Sequence, residues 1–139
     1  MPISFKEDLD AAEKCLSRLV QTSNHDFTIR EVFCEELGIK TQAAKEFPNV
    51  AVANARLMDR KQQDYGSNNI AKTGLHGCAI RLSDKIERIL NLMGISNGPK
   101  LFAGRRPRVK NEALVDSWRD ASNYGIIALM VDLGRWPKD

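Results

Sequence analysis

The sequence predicts an all-α protein, a helical bundle of four to six helices, and three observations predict it. Apolar residues recur at helical spacing along most of the chain. Helix-start and helix-stop residues bracket those stretches, and no hairpin dipeptide sits between alternating apolar and polar runs. With 139 residues, the chain reads as a single domain, 1–139, large enough to bury a core without disulfide or metal staples. Residues 1–47 read as an N-terminal helical extension and 48–134 as the core that carries the motifs.

The elements follow in order. Ser4 with Glu7 makes a capping box, and Phe5, Leu9, Ala12, Leu16 and Leu19 follow at helical spacing. Thr28 with Glu31 repeats the device before a short helix that Gly38 ends. Thr41 to Phe47 gives a helical turn or two, stopped by Pro48. A longer helix runs from about Asn49 through Val52, Ala55, Met58 and Gln62 to Tyr65, closed by Gly66. The polar segment SNNIAKTGLHG is turn-rich, with His76 a loop or cap residue. From Cys78 to Met93, the residues Ala79, Leu82, Ile86, Ile89, Leu90 and Met93 make an apolar stripe that Gly94 stops. A loop, ISNGPKLFAGRRPRVK, leads into a last helix from Asn111 to Gly134.

Composition bounds the function classes. No apolar run approaches a membrane span, and the N-terminal MPISFKEDLD is not a signal peptide. Cys15, Cys34 and Cys78 are odd in number and lack metal-ligand spacing, so they read as reduced thiols of a cytoplasmic protein. His25 and His76 make no zinc pattern with them. A net charge of +3 is too small to imply nucleic-acid binding. Lys100, Arg105, Arg106, Arg108 and Lys110 nevertheless crowd before the last helix, either as a solvated loop or as cations brought near bound phosphates.

The last helix is the most informative stretch. Asp116, Asp120 and Asn123 fall at i, i+4 and i+7 on one stripe, which continues into Ile127 and Met130. The opposite stripe, Leu114, Trp118, Ala121, Gly125 and Ala128, reads as the core face. Carboxylates at i, i+4 repel by roughly 0.2–0.5 kcal/mol unless something cationic lies between them. A hard divalent metal inside a bundle is an economical answer. The plainer one is a solvated face with acids favoured by the helix dipole.

Two other segments hold candidates. Asp84 and Glu87 lie at i, i+3 among Arg81, Lys85 and Arg88, which alone is a charged exposed face. Asp84 lies nearly opposite that helix's apolar stripe, and Glu87 at its edge. Acidic pairs recurring on two helices are what a magnesium site needs, because magnesium takes oxygen ligands and is completed by substrate phosphates. The third segment holds Asp64, Tyr65, Asn68, Asn69 and Lys72. Asp64 opposes the dipole at a helix C-terminus, so its presence needs a local reason.

The succession DYGSNNIA, RLSDKIERILNL and DSWRDASNYGIIALM, in order over roughly residues 58–131, resembles the nucleotide modification associated domain 1 family of phages and bacteria. That family is similar in turn to the all-α nucleotide pyrophosphohydrolases of the MazG and dUTPase group. The resemblance implies a MazG-like bundle, in the host cytoplasm if phage-encoded. It implies an ExxE pair at Asp84 and Glu87 and an ExxD pair at Asp120 and Asn123. Asp replaces Glu in the first pair and Asn replaces a carboxylate in the second, with Asp116 restoring charge.

The expected function is then a magnesium-dependent nucleoside phosphate (NTP or dNTP) pyrophosphohydrolase of phage-related nucleotide metabolism. Asp84, Glu87, Asp116, Asp120 and Asn123 would hold Mg2+, and Glu87 would take the proton of the attacking water. Lys72, Lys85 and Arg88 would balance phosphate charge, joined by Arg81, Arg105 and Arg106. Tyr65 would stack on a base read by Asn68 and Asn69, beside Asp64. The alternative is a non-catalytic module that binds or sequesters a nucleotide or modified nucleotide. A nucleic-acid contact protein using Arg105, Arg106, Arg108 and Lys110 is the third reading. The doubly used helix faces predict a homo-oligomer, dimer or tetramer, with no membrane partner.

Overall fold

Two capping boxes open the chain's first helices. Ser4 Oγ accepts from the Glu7 amide at 3.2 Å while Glu7 accepts from the Ser4 amide at 2.6 Å, starting α1 (Phe5–Leu16). Thr28 and Glu31 repeat the exchange to start α2 (Ile29–Glu36). In both, the glutamate carboxyl is held below its ordinary range, chiefly by the backbone hydrogen bond it accepts.

The computed structural model describes residues 4–95 and 111–138. Its remaining elements are a hairpin, β1 (Leu19–Thr22) with β2 (His25–Thr28), then α3 (Gln42–Tyr65), α4 (Asn68–Ala71), α5 (Gly74–Met93) and α6 (Asn111–Asp132). The fold is all-α with one two-stranded antiparallel sheet among the described residues. No described helix is long and apolar enough to cross a membrane. Cys15, Cys34 and Cys78 are all free thiols.

Several local expectations need correction. The hairpin pairs Leu19 with Thr28 and Thr22 with His25 around Ser23 and Asn24, which have φ of 47° and 75°. Positive φ at both turn positions is the type I′ pattern. Serine is not one of its usual residues, and each strand has only four, so neither turn dipeptide nor alternation marks it. Leu19 accordingly leaves the α1 stripe and is exposed. Pro48 does not stop a helix. It lies inside α3, six residues past the first, where its ring removes the bond to the Ala44 carbonyl without ending the helix. His76 lies inside α5, which begins four residues before Cys78. Gly38, Gly66, Gly94 and Gly134 follow their helices at φ of 67–71°, as left-handed stops do.

The chain forms two compact units, Met1–Arg60 and Lys61–Asp139, so the division falls inside α3 rather than at residue 47. In the first, α1 buries Ala12 and Asp8, and Asp8 meets Arg56 and Arg60 of α3. Arg60 grips the fully buried Asp8 carboxylate with both guanidinium arms, at 2.6 and 2.8 Å, and Arg56 lies 3.3 Å away. This unit also holds an apolar groove of about 600 Å³ lined by residues including Leu16, Ile29, Phe33, Phe47 and Val52.

In the second unit, Lys85 of α5 meets Asp120 of α6 near the middle of both helices. Trp136, just past α6, donates its indole N–H to the Ser67 carbonyl, just before α4, at 3.0 Å. The two helices therefore run antiparallel. Cys78, Ile89 and Leu92 of α5 pack with Ala121 and Ile127 of α6 in the core, joined by Ile70 of α4.

Candidate functional site

The α6 stripe of Asp120 and Asn123, continuing to Ile127, does turn inward, as its apolar continuation implied. Its first member, Asp116, stays exposed. The stripe expected to face the core fares differently. Ala121 is buried, Leu114, Gly125 and Ala128 are half-buried, and Trp118 is 50% exposed. The polar face won the interior because cations await it there.

Those cations are lysines. Lys61, in the last turns of α3, donates to one Asp120 oxygen, and Lys85 lies 3.1 Å from the other. Burial alone would push this carboxyl up, but hydrogen bonds from Lys61 and Lys85 outweigh it and hold the group below the ordinary aspartate range. One turn before Lys85, Arg81 donates to the Asn69 side chain and carbonyl, a neutral partner. Arg81 and Lys85 share one face of α5, being four residues apart. Two lysines thus meet on the Asp120 carboxylate, and Arg81 lies one turn along α5 from Lys85 on a neutral partner. Ser117, Arg119 and Asn123 are buried on the same helix as Asp120. The Gln62 Oε1, next in sequence to Lys61, is buried with no hydrogen-bond partner among the described residues.

The structure gathers only part of the expected site. It brings together Asn69, Arg81, Lys85 and Asp120, and buries Asn123. Asp84, Glu87 and Arg88 are exposed on α5, as are Asp64, Tyr65, Asn68 and Lys72 around α4. Arg105 and Arg106, with Lys100, Arg108 and Lys110, lie outside the described residues. Among the described residues no three His, Cys, Asp or Glu side chains come together as metal ligands. Asp84 and Glu87 stand one turn apart on the exposed side of α5, while Asp120 is taken up by Lys61 and Lys85. Lys61 reaches Asp120 through the tertiary fold. It lies 59 residues from Asp120, and no short-range spacing rule joins the two. The only hint in the sequence is the uncompensated carboxylate on an inward stripe.

Compared with known proteins, the chain matches no protein-family model, no curated protein and no solved structure.

Proposed function

We propose that this chain binds a nucleoside phosphate, with Lys61, Lys85 and Arg81 receiving the phosphate chain. The observation that carries the reading is the buried Asp120 carboxylate held between Lys61 and Lys85, with Arg81 one turn away on a neutral partner. Lysines are point charges on flexible stems, so they can turn from a carboxylate to a phosphate without a fixed geometry being rebuilt. Arg81 adds a planar fork suited to two phosphate oxygens. Asp120 orders the lysines before the ligand arrives, and Tyr65, 67% exposed, offers a face for base stacking.

A second reading is magnesium-dependent hydrolysis of the same phosphate chain. It rests on Asp84 and Glu87, one turn apart on the exposed side of α5. One experiment separates the two. A panel of canonical and modified nucleotides is titrated by calorimetry with magnesium and with chelator, and phosphate and pyrophosphate release is scored. Binding that persists in chelator, weakens when Lys85→Met or Lys61→Met is introduced and releases no phosphate supports the binding module. Release that requires magnesium and disappears in Glu87→Gln supports the hydrolase. Protein that is folded yet binds no nucleotide under either condition refutes both.

A further inference from the structure

We infer that the apolar groove of the first unit receives an amphipathic helix of a partner protein, one whose flanks carry lysine or arginine. The groove begins with the sequence of α3. Ala44, Phe47, Pro48, Ala51, Val52 and Ala55 recur at i, i+3, i+4, i+7, i+8 and i+11, the spacing of a core face. In this unit, however, α3 buries Asn49, Ala53 and Asn54, while Phe47 stays 71% exposed. Ile29 and Phe33, one turn apart on α2, line the same space, and Phe33 is 46% exposed. Large aromatic side chains beside small alanines leave a hollow of about 600 Å³.

The lining decides the form of the occupant. Small-molecule sites reach this size, about 300–1,000 Å³, but they orient their ligand through a few placed polar groups. Among the described residues, every side chain lining this hollow is apolar. An amphipathic helix needs no such handle. Its anchors at i, i+4 and i+7 enter the groove while its other face stays in water. Exposed phenylalanines give those anchors rigid apolar area to pack on.

Charge decides its chemistry. Two polar cavities adjoin the groove, one sharing Leu16 with it and the other Ile39. Arg30 and Glu46 line both and pair with each other at 3.1 Å. The remaining charges are Glu13 in the first cavity and Glu31, Glu35 and Lys45 in the second. Three carboxylates thus stand against one ammonium. Glu31 and Glu35 are one turn apart on α2, a like-charged pair that a cation would relieve. A fatty acid or an anionic membrane would be repelled by these acids, and a second copy would bring the same ones. Lysine or arginine beside the apolar anchors answers them.

The test is fluorescence anisotropy of labelled synthetic helices mixed with the full chain. One carries leucine at i, i+4 and i+7 with lysine elsewhere, a second has glutamate for lysine, and a third scrambles the first. The lysine helix should bind about tenfold more tightly than either of the others. Phe47→Ala should weaken it several-fold, and Glu13→Gln with Glu35→Gln should narrow the gap between the lysine and glutamate helices. All three side chains are exposed, so circular dichroism should report unchanged helix. No lining residue belongs to the proposed phosphate site, so nucleotide binding by these variants should match the parent. Failure of the lysine helix to bind overturns the inference, as does equal binding of the glutamate or scrambled helix, or binding that Phe47→Ala leaves intact. Capture of palmitate or phosphatidylglycerol vesicles in its place refutes it too, as does a dimer that Phe47→Ala dissolves while no helix binds.

Discussion

Asp8 and Asp120 are both inward carboxylates facing two cations, one in each compact unit, and the cations differ in kind. Asp8 is fully buried and meets two arginines, one of them through a two-armed fork. Asp120 keeps a little exposure and meets two lysines. A guanidinium fork fixes direction as well as charge, so Asp8 is tied to one geometry and joins α1 to α3 as a structural clasp. Ammonium groups impose no such direction, and the pair around Asp120 can be redistributed over an incoming anion. The same formal charge pattern gives a fastening in one place and a receptor in the other.

The largest effect should come from breaking the clasp. Asp8→Asn leaves Arg60 without its carboxylate, and removing one partner of a buried pair costs about 3 kcal/mol or more. Hydrogen exchange of the α1 amides should accelerate to match. Asp120→Asn should cost less, about 1–2 kcal/mol, because its lysines reach water. Its signature lies elsewhere: inorganic phosphate and nucleotides should bind several-fold more tightly, since two ammonium groups lose their competing carboxylate. Weaker binding in that variant would erase the distinction drawn between the two aspartates.

Acid provides a finer cut. The Asp120 carboxyl is held below its ordinary value in the folded chain. Its contribution to stability is therefore complete above the unfolded value of about 3.9. It disappears as pH falls from there through the lower folded value. Urea midpoints of the second unit should drop below about pH 4 in the parent, and that component should be missing from Asp120→Asn. The smallest effect concerns α1 alone. Ser4→Ala removes the cap beneath the clasp and should lower stability by about 1 kcal/mol, read as a shift in melting temperature.

Much of the architecture was legible because it is written locally. Capping boxes at Ser4 and Thr28 and left-handed glycines at 38, 66, 94 and 134 set helix ends by rules that span four or five residues. The hairpin was not legible, since its turn uses Ser23 in a conformation more often given to glycine or asparagine. Pro48 misled because continuation through a proline depends on packing around it, which no local pattern records. At the site, the inward face of Asp120 and Asn123 could be read from its apolar continuation. The identity of its counter-charge could not, because Lys61 arrives through the tertiary fold. Periodicity places Trp118 on the inward stripe, yet it is half exposed, because the buried Asp120 and Asn123 turn the helix away from that stripe.

The bond from the Trp136 indole to the Ser67 carbonyl has a consequence for the order of assembly during synthesis. Chains fold as they emerge, N-terminal parts first. Every partner of the Asp8 clasp is translated by residue 60. The second unit's link from Trp136 to Ser67 must wait for residue 136, when α4 and α5 are already made. Until then that unit's apolar surface is open to chaperones, and to a neighbouring nascent chain of the same kind.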